Sequence, residues 1–269
     1  MTADEYKKIA TDARKKVLEM IWKAQTSHIG SNFSCIDILT VLYMSIAQNL
    51  DKEFRQQRDR IVASKGWVAA SMYYFLAEKG IISKEDLETY CKPDSKYIGL
   101  AEPYVKGIEA AGGAMGHGLP MACGMAFGAK RAGETWRTYV LMSDGEMDCG
   151  TTWESALIAS HHHLDNLTVI IDYNKWQAMG RTNEVLNLEP LKEKWEAFGW
   201  EVLEINGHDY EQIESSLKHQ TKDKPLAIVA HTTKGKGVSE MEDKIEWHYR
   251  NIPDDVYERA MNELQISHD

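Results

Sequence analysis

The first half of the chain places apolar residues at the spacing of helices. Five stretches have this pattern, and Ser34 is a candidate N-cap for the second of them. The predicted helices are residues 3–25, 34–48, 67–80, 85–91 and 117–133. The last of these is rich in small side chains, which favours a helix packed closely against another backbone.

The second half of the chain alternates short apolar runs with helical stretches. The runs are rich in β-branched residues and end in polar ones; they are residues 138–144, 166–174, 200–206 and 225–233. Helical patterns lie between them, at residues 151–164, 188–199 and 210–220. This order predicts an α/β fold, in which helices cover both faces of a parallel sheet. Without a repeat or a linker-like segment, we expect one domain over residues 1–269 with a helical N-terminal segment.

Composition and charge narrow the classes of function. Hydrophobic residues make up 43% of the 269 residues and charged residues 27%, which is typical of a folded globular protein. The formal net charge of −10 argues against a nucleic-acid partner. The four cysteines form no Cys-x-x-Cys pair, and no apolar run is long enough for a signal peptide or a membrane span. We therefore expect free thiols, no membrane contact and a cytoplasmic location.

Polar residues follow the predicted strands at their carboxyl ends. Asp144 ends one strand and Asn174 ends the next, and such ends meet at one edge of a parallel sheet, where ligands bind. Carboxylate and amide oxygens suit Mg²⁺, which commonly bridges to phosphates. Gly145 lets a ligand oxygen approach the backbone, and the next helix N-terminus would present N–H groups. The pair predicts a magnesium–diphosphate site, whereas an isolated Asp-Gly and Asn would more simply cap turns.

Several segments resemble the N-terminal, diphosphate-binding section of the transketolase family. Residues 142–174 are similar to the thiamine diphosphate fingerprint, GDG followed by a distant N, with Ser143 in place of the first glycine. Four more segments are similar to the family's GHPG, SKGH, PGVE…GSLGQG and closing motifs, in that order: residues 27–43, 59–80, 105–130 and 231–257. The resemblance implies the thiamine diphosphate-binding fold, a transferase activity, and thiamine diphosphate and Mg²⁺ as cofactors.

The resemblance also implies which residues hold the cofactors. Asp144, Asn174 and the backbone carbonyl of Trp176 fall where the family binds Mg²⁺. Gly145 and Glu146 fall where it holds the diphosphate. The complete set of implied cofactor-binding residues is Gly116, His117, Gly118, Gly145, Glu146, Asn174 and His248.

Three histidines match family positions close to the cofactor and the substrate. These are His28, His117 and His248, which the resemblance implies as the catalytic residues that orient the cofactor and move protons. Lys234 in the segment TTKGKG matches a position that lines the entrance.

Two positions depart from the family pattern. Trp67 replaces the histidine of SKGH and Leu100 replaces the histidine of GHPE, and both family histidines contact the sugar. An indole only donates hydrogen bonds and a leucine forms none, so handling of a polyhydroxylated ketose phosphate should weaken. Trp67 could also shorten the pocket or stack on a substrate ring. We therefore expect a carboligase that transfers a two-carbon unit to an aldehyde or ketone acceptor, with a substrate range altered by Trp67 and Leu100.

The resemblance ends where the family's pyrimidine-binding and C-terminal domains would begin. It implies that these domains, with the glutamate that activates the cofactor, belong to a separate polypeptide, in an α2β2 assembly active only when both chains are present. A chain shortened from a longer protein is the alternative.

Three other functions remain open. The chain could be an ordinary split transketolase acting on sugar phosphates, or a noncatalytic regulatory subunit that retains the fold. A nucleotide-binding α/β protein is the third, although neither G-x-G-x-x-G after a strand nor GxxxxGK[ST] occurs.

Overall fold

The computed structural model describes residues 1–52 and 57–266, and its centre is a parallel sheet. The five strands lie in the order β1-β2-β3-β5-β4. They are Arg60–Ala63 (β1), Thr138–Ser143 (β2), Leu167–Tyr173 (β3), Glu201–Asn206 (β4) and Leu226–His231 (β5). The prediction of a parallel sheet is confirmed, and all four predicted strands are present. The edge strand β1 was not predicted, because its four residues are too few to show a periodicity.

Helices cover both faces of this sheet, as predicted. The α-helices are Ala3–Ala24 (α1), Ile29–Ser34 (α2), Ile36–Val41 (α3), Ala69–Glu78 (α4), Gly118–Ala132 (α5), Gly150–His161 (α6), Thr182–Val185 (α7), Leu191–Ala197 (α8), Tyr210–Lys218 (α9) and Asp254–Ile266 (α10). Short 3₁₀ turns span Gly66–Val68, Glu85–Thr89, Asp144–Asp148 and Ile245–His248. None of the helices in the described ranges has the length and apolar character needed to cross a bilayer.

Alternate side chains of each strand enter two separate cores. In β2, Tyr139 and Leu141 join the core formed with α1, α3, α4, α9 and α10, while Val140 and Met142 join the core formed with α5, α6 and α8. This alternation is what a strand buried on both faces requires. The sheet is therefore rigidly held from both sides, and its carboxyl edge can present side chains at fixed positions.

Two predicted helices differ from the structure. The helix expected over residues 34–48 is divided into α2, α3 and a π-helical turn at Leu42–Ile46. Ser34 ends α2 and caps no helix, because its hydroxyl lies 2.6 Å from the Asp172 carboxylate, to which it donates a hydrogen bond. The stretch at 85–91 is a 3₁₀ turn at Glu85–Thr89.

Candidate active site

A cleft of about 520 Å³ opens at the carboxyl ends of β1, β2 and β3. The strand register aligns Ser143 of β2 with Asp172 of β3, so the residues that follow each strand emerge side by side. The predicted residues that line the cleft are His28, Trp67, Asp144, Gly145, Asn174, Trp176 and His248. Segments far apart in sequence therefore converge on one cavity, at the edge where parallel sheets bind ligands.

Asp144 and Asn174 occupy the strand tips as predicted. The Asp144 carboxylate accepts hydrogen bonds from the backbone N–H of Lys175 at 2.9 Å and from the Thr182 hydroxyl at 2.7 Å. The Asn174 side-chain oxygen accepts the backbone N–H of Trp176 at 3.0 Å. These bonds fix the carboxylate and the amide oxygen beside each other. A 3₁₀ turn, Asp144–Asp148, separates β2 from α6, and α6 begins at Gly150, one residue before the predicted start of this helix.

The donor set fits a hard divalent cation. Asp144 is 1% exposed, and within the described residues no cationic side chain lies at ion-pair distance from it. Burial, with a smaller contribution from the charge of Asp172, raises the pKa of the Asp144 carboxyl to about 6. A nearby positive charge would stabilise the ionised form of this buried carboxylate. One carboxylate and one amide oxygen suit an Mg²⁺ ion that is shared with phosphate oxygens. No group of three His, Cys, Asp or Glu side chains is placed to hold a metal ion in the described ranges, so any further ligands from this chain would be neutral oxygens.

Glu146 holds the glycine loop beside the cleft. Its carboxylate accepts the backbone N–H of Gly116 at 2.9 Å and that of Ser143 at 3.1 Å, and it accepts the Ser64 hydroxyl. The backbone N–H of Gly118 in turn donates to Ser64 Oγ at 3.1 Å. The fully buried Glu146 side chain is thus committed to the loop, and any contact with a diphosphate would have to come from its backbone.

Gly116 cannot be replaced without disturbing this loop. Its φ of 78° lies in the left-handed region that favours glycine, and an added Cβ would lie 2.4 Å from the Thr151 hydroxyl. The loop therefore brings its backbone close to α6 and to the cleft.

His28, Trp67 and His248 form an aromatic cluster on one wall of the cleft. The Trp67 indole lies parallel to the His28 imidazole, with 4.4 Å between ring centroids, and the His248 ring is 5.0 Å from that of His28. The backbone N–H of His28 donates to the His248 carbonyl at 3.0 Å. Trp67 therefore stacks on a ring of the protein itself, and stacking on a substrate ring stays a prediction.

Both clustered histidines are neutral near pH 7. Burial, together with the charges of Lys234 and Lys65, lowers the pKa of His28 to about 4, and burial and Lys234 lower that of His248 to about 3. Lys234 Nζ lies 3.1 Å from His248 Nδ1. The protonated amine can only donate, so with it Nδ1 is the acceptor and the imidazole proton is on Nε2.

Lys234 lies beneath the cleft, and its predicted place at the entrance is wrong. The side chain is fully buried, with Nζ 3.2 Å from the Ser31 hydroxyl. Burial and the nearby charge of Lys65 lower the pKa of the Lys234 amine to about 7. It therefore acts on the cleft through His248 and Ser31.

The side chains of His117 and Leu100 are also outside the wall of the cleft. The His117 side chain is exposed, with Nδ1 3.2 Å from the Met115 carbonyl, and it does not join the His28 cluster. The Leu100 side chain packs beside Gly113, which lines the cleft. A Cβ added at Gly113 would lie 3.6 Å from Leu100 Cδ1. The structure therefore does not bring these two side chains together with His28 and His248.

Lys65 and Asp172 were missed by the sequence interpretation. Lys65 Nζ forms a buried ion pair with the Asp172 carboxylate, and it donates to the Ser31 carbonyl at 3.0 Å. Lys65 lines the cleft. The signal was present, because an aspartate in the otherwise apolar strand β3 requires a buried partner.

A second ion pair joins two loops at the cleft. Arg181 makes two 2.6 Å hydrogen bonds to the Asp243 carboxylate, and its guanidinium lies 3.9 Å above the Trp176 ring. The Trp176 indole N–H donates to the same carboxylate at 2.8 Å, and the Asp243 N–H donates to the Lys234 carbonyl at 2.8 Å. The loop that follows Asn174 is thereby tied to the segment that carries Lys234.

Comparison with known proteins identifies the family. Residues 5–266 match the family described as "Transketolase, thiamine diphosphate binding domain". One subunit of the apulose-4-phosphate transketolase of Phocaeicola vulgatus is 42% identical over 254 residues, which cover 93% of this chain and 90% of that protein. The subunit of the same name from Actinobacillus succinogenes is 40% identical over 269 residues, which cover 98% of each.

A solved structure agrees with both the sequence match and the fold. The transketolase from Campylobacter jejuni superposes with a TM-score of 0.93 at 33% identity, over 98% of this chain and 43% of that one. The chain thus spans less than half the length of that transketolase. The resemblance inferred from the motifs is confirmed, and the chain belongs to the transketolase family and contains its thiamine diphosphate binding domain.

Proposed function

We propose that the chain is the diphosphate-binding subunit of a split transketolase that transfers a two-carbon ketol unit between sugar phosphates. The observation that carries this proposal is the convergence of Asp144, Asn174 and the His28–His248 pair on one cleft. The two relatives of similar length are each named as one subunit of a transketolase, which supports a division of the enzyme between two chains. A match to this family speaks against the nucleotide-binding alternative.

Asp144, Asn174 and the Trp176 carbonyl would hold Mg²⁺. The backbones of Gly145, Glu146 and the loop 116–118 would hold the diphosphate. When bound, thiamine diphosphate supplies the nucleophilic carbon and the electron sink for cleaving and forming C–C bonds. The role of this chain is to fix the cofactor and exclude water from the reacting end.

His28 and His248 would handle the substrate hydroxyls and the mobile protons. As neutral imidazoles, each can donate one hydrogen bond and accept another. The assigned tautomer of His248 offers its Nε2–H to the cleft, while Nδ1 faces Lys234. His117 would act as part of the cofactor loop. Its side chain is exposed, so a residue of the second polypeptide can contact it.

Trp67 and Leu100 would set the substrate range. The Trp67 indole lies over the His28 ring at the position of a second family histidine, so an acceptor for the sugar hydroxyls would be lost and the cleft would be narrower. The sugar phosphate in the names of the two relatives is apulose 4-phosphate, and these relatives are 42% and 40% identical to this chain. We propose apulose 4-phosphate as the substrate, with the ketose phosphates of ordinary transketolases as the second candidate.

A second polypeptide would complete the site. Met115 and Met179 at the rim of the cleft are 59% and 79% exposed, which supports a partner that covers this rim. We propose that this partner carries the pyrimidine-binding and C-terminal domains with the activating glutamate, in an α2β2 assembly.

Reconstitution tests this function. The chain is combined with the complementary, pyrimidine-binding chain of a related split transketolase, and consumption of apulose 4-phosphate and xylulose 5-phosphate is followed with an aldehyde acceptor, thiamine diphosphate and Mg²⁺. We expect turnover that requires both chains and favours apulose 4-phosphate over xylulose 5-phosphate. Cofactor binding without turnover of either ketose phosphate would favour the noncatalytic regulatory role instead.

A further inference from the structure

His208 follows β4 at the carboxyl edge of the sheet, yet it has no part in the cleft described above. Its side chain is 14% exposed and has a hydrogen-bond partner at each ring nitrogen. Nδ1 lies 2.8 Å from the Asp37 carboxylate, and Nε2 lies 2.8 Å from the backbone nitrogen of Thr233. Thr233 immediately precedes Lys234, so His208 touches the segment that carries the buried amine.

These partners decide the tautomer of His208. A backbone N–H can only donate, so Nε2 accepts the bond from Thr233 and carries no proton. The proton is therefore on Nδ1 and is donated to Asp37. The carboxylate is itself fixed by two bonds from Arg14, at 3.0 and 2.7 Å, and by the Tyr210 hydroxyl at 2.8 Å. The imidazole is thus held in one orientation with its acceptor facing Thr233.

The same cluster holds the other side of the loop. Arg14 Nε donates to the Lys236 carbonyl at 2.8 Å, and the Gly235 N–H donates to the Gly30 carbonyl at 3.0 Å. Lys234 lies between these attachment points, and its amine reaches Ser31 and His248. The backbone on both sides of Lys234 is therefore set by Asp37 and the two side chains that it orients.

We propose that His208 is a positioning residue for Lys234: by accepting the Thr233 N–H it sets the loop so that the Lys234 amine reaches His248. The importance of this placement for turnover rests on the proposed function, because it is there that His248 faces the substrate. Without the acceptor, the Thr233 N–H must find water, and the loop moves to reach it. A shift of about 1 Å at such a group can cost about 100-fold in rate.

Two substitutions separate the two bonds of His208. In His208→Asn the side-chain amide can still donate to Asp37 from the position of Nδ1, but the acceptor for Thr233 is lost. In His208→Gln the amide oxygen reaches the position of Nε2 and restores that acceptor. His231→Asn is the matched control, because His231 ends the neighbouring strand and contacts the exposed Glu204 at 3.2 Å.

The readout is the titration of Lys234 in the isolated full chain, by competitive labelling of amines across pH with peptide mass spectrometry. We expect the Lys234 pKa near 7 in the wild type, a rise of about one pKa unit or more in His208→Asn, and no comparable change in His208→Gln or His231→Asn. An unchanged Lys234 pKa in His208→Asn, or equal shifts of this pKa in the Asn and Gln variants, would overturn the inference.

Turnover of the reconstituted enzyme is the second readout. For His208→Asn we expect kcat to fall about tenfold or more with the cofactor Kd unchanged, and for His208→Gln we expect recovery of most of that loss. If no variant or wild type turns over, the proposed function fails, while the titration still decides whether His208 positions Lys234.

Discussion

Replacing Lys65 by methionine should destabilise the protein by about 3 kcal/mol at pH 7.5, near the lower end of the cost of breaking a buried ion pair. The Lys65 ammonium is buried in the wall of the cleft and forms its ion pair with Asp172. Methionine fills a similar volume, so the loss comes from the uncompensated carboxylate. The lower end applies because the hydroxyls of Ser34 and Thr232 still donate to it.

The destabilisation should depend on pH. Burial alone raises the pKa of Asp172, but the Lys65 charge more than offsets this, so the pKa is lowered in the folded protein. That stability is present above the unfolded pKa of about 3.9 and is lost as the pH falls through the folded value. In Lys65→Met burial is no longer offset, the folded pKa becomes raised, and stability falls as the pH rises above about 4. The gap between wild type and variant should therefore widen from pH 5 to pH 7.5.

Urea unfolding followed by circular dichroism measures this effect. Lys84→Met is the control, because Lys84 pairs with Glu78 while its side chain is 65% exposed, and such pairs contribute about 1 kcal/mol or less. The double variant Lys65→Met/Asp172→Asn should recover about half of the loss, since no buried charge remains. Equal losses for Lys65→Met and Lys84→Met, or a gap that narrows with rising pH, would refute the reasoning.

Three further changes test the cleft itself. Gly116→Ala should lower the free energy of unfolding by about 1–3 kcal/mol, because alanine disfavours the left-handed backbone and its Cβ would contact Thr151. Thermal unfolding with and without cofactor measures this loss, and an unchanged Tm would contradict it. Trp67→His should move the kcat/KM ratio about tenfold toward xylulose 5-phosphate over apulose 4-phosphate, and no movement would remove Trp67 as a determinant. Arg181→Lys keeps the positive charge but loses the pair of parallel hydrogen bonds to Asp243. We expect calorimetry to show an Mg²⁺ affinity about threefold weaker. Equal affinity would show that the loop after Asn174 does not need this ion pair to bind the cation.

The sequence was most informative where chemistry coincides with the end of a strand. Asp144 and Asn174 could be placed together because the carboxyl ends of parallel strands share one edge, and this depends on strand order alone. His28 and His248 required the family motifs, since they are far apart in sequence and come together only in the folded chain. The strand pattern and the motifs therefore predicted the Asp144–Asn174 pair and the two histidines that line the cleft.

Contacts between distant side chains were beyond the sequence. Lys234 was placed at the entrance from its match to a family position, whereas Gly30 lets the lysine pass close to α2 and become buried. Leu100 and His117 were assigned from motif positions, and a position does not reveal whether a side chain faces the cleft or the solvent. The two bonds of His208 depend on how the ends of β4 and β5 adjoin, which the periodicity of either strand does not contain.

Calorimetric titration of thiamine diphosphate with Mg²⁺ tests the central claim most directly. The chain is measured alone and with the complementary chain, as wild type, as Asp144→Ala and as Asp148→Ala, an exposed acidic control in the same turn. We predict binding that tightens with the second polypeptide, disappears in Asp144→Ala and persists in Asp148→Ala. No heat for the wild type under either condition, or equal binding by Asp144→Ala, would contradict the assignment of the cofactor site.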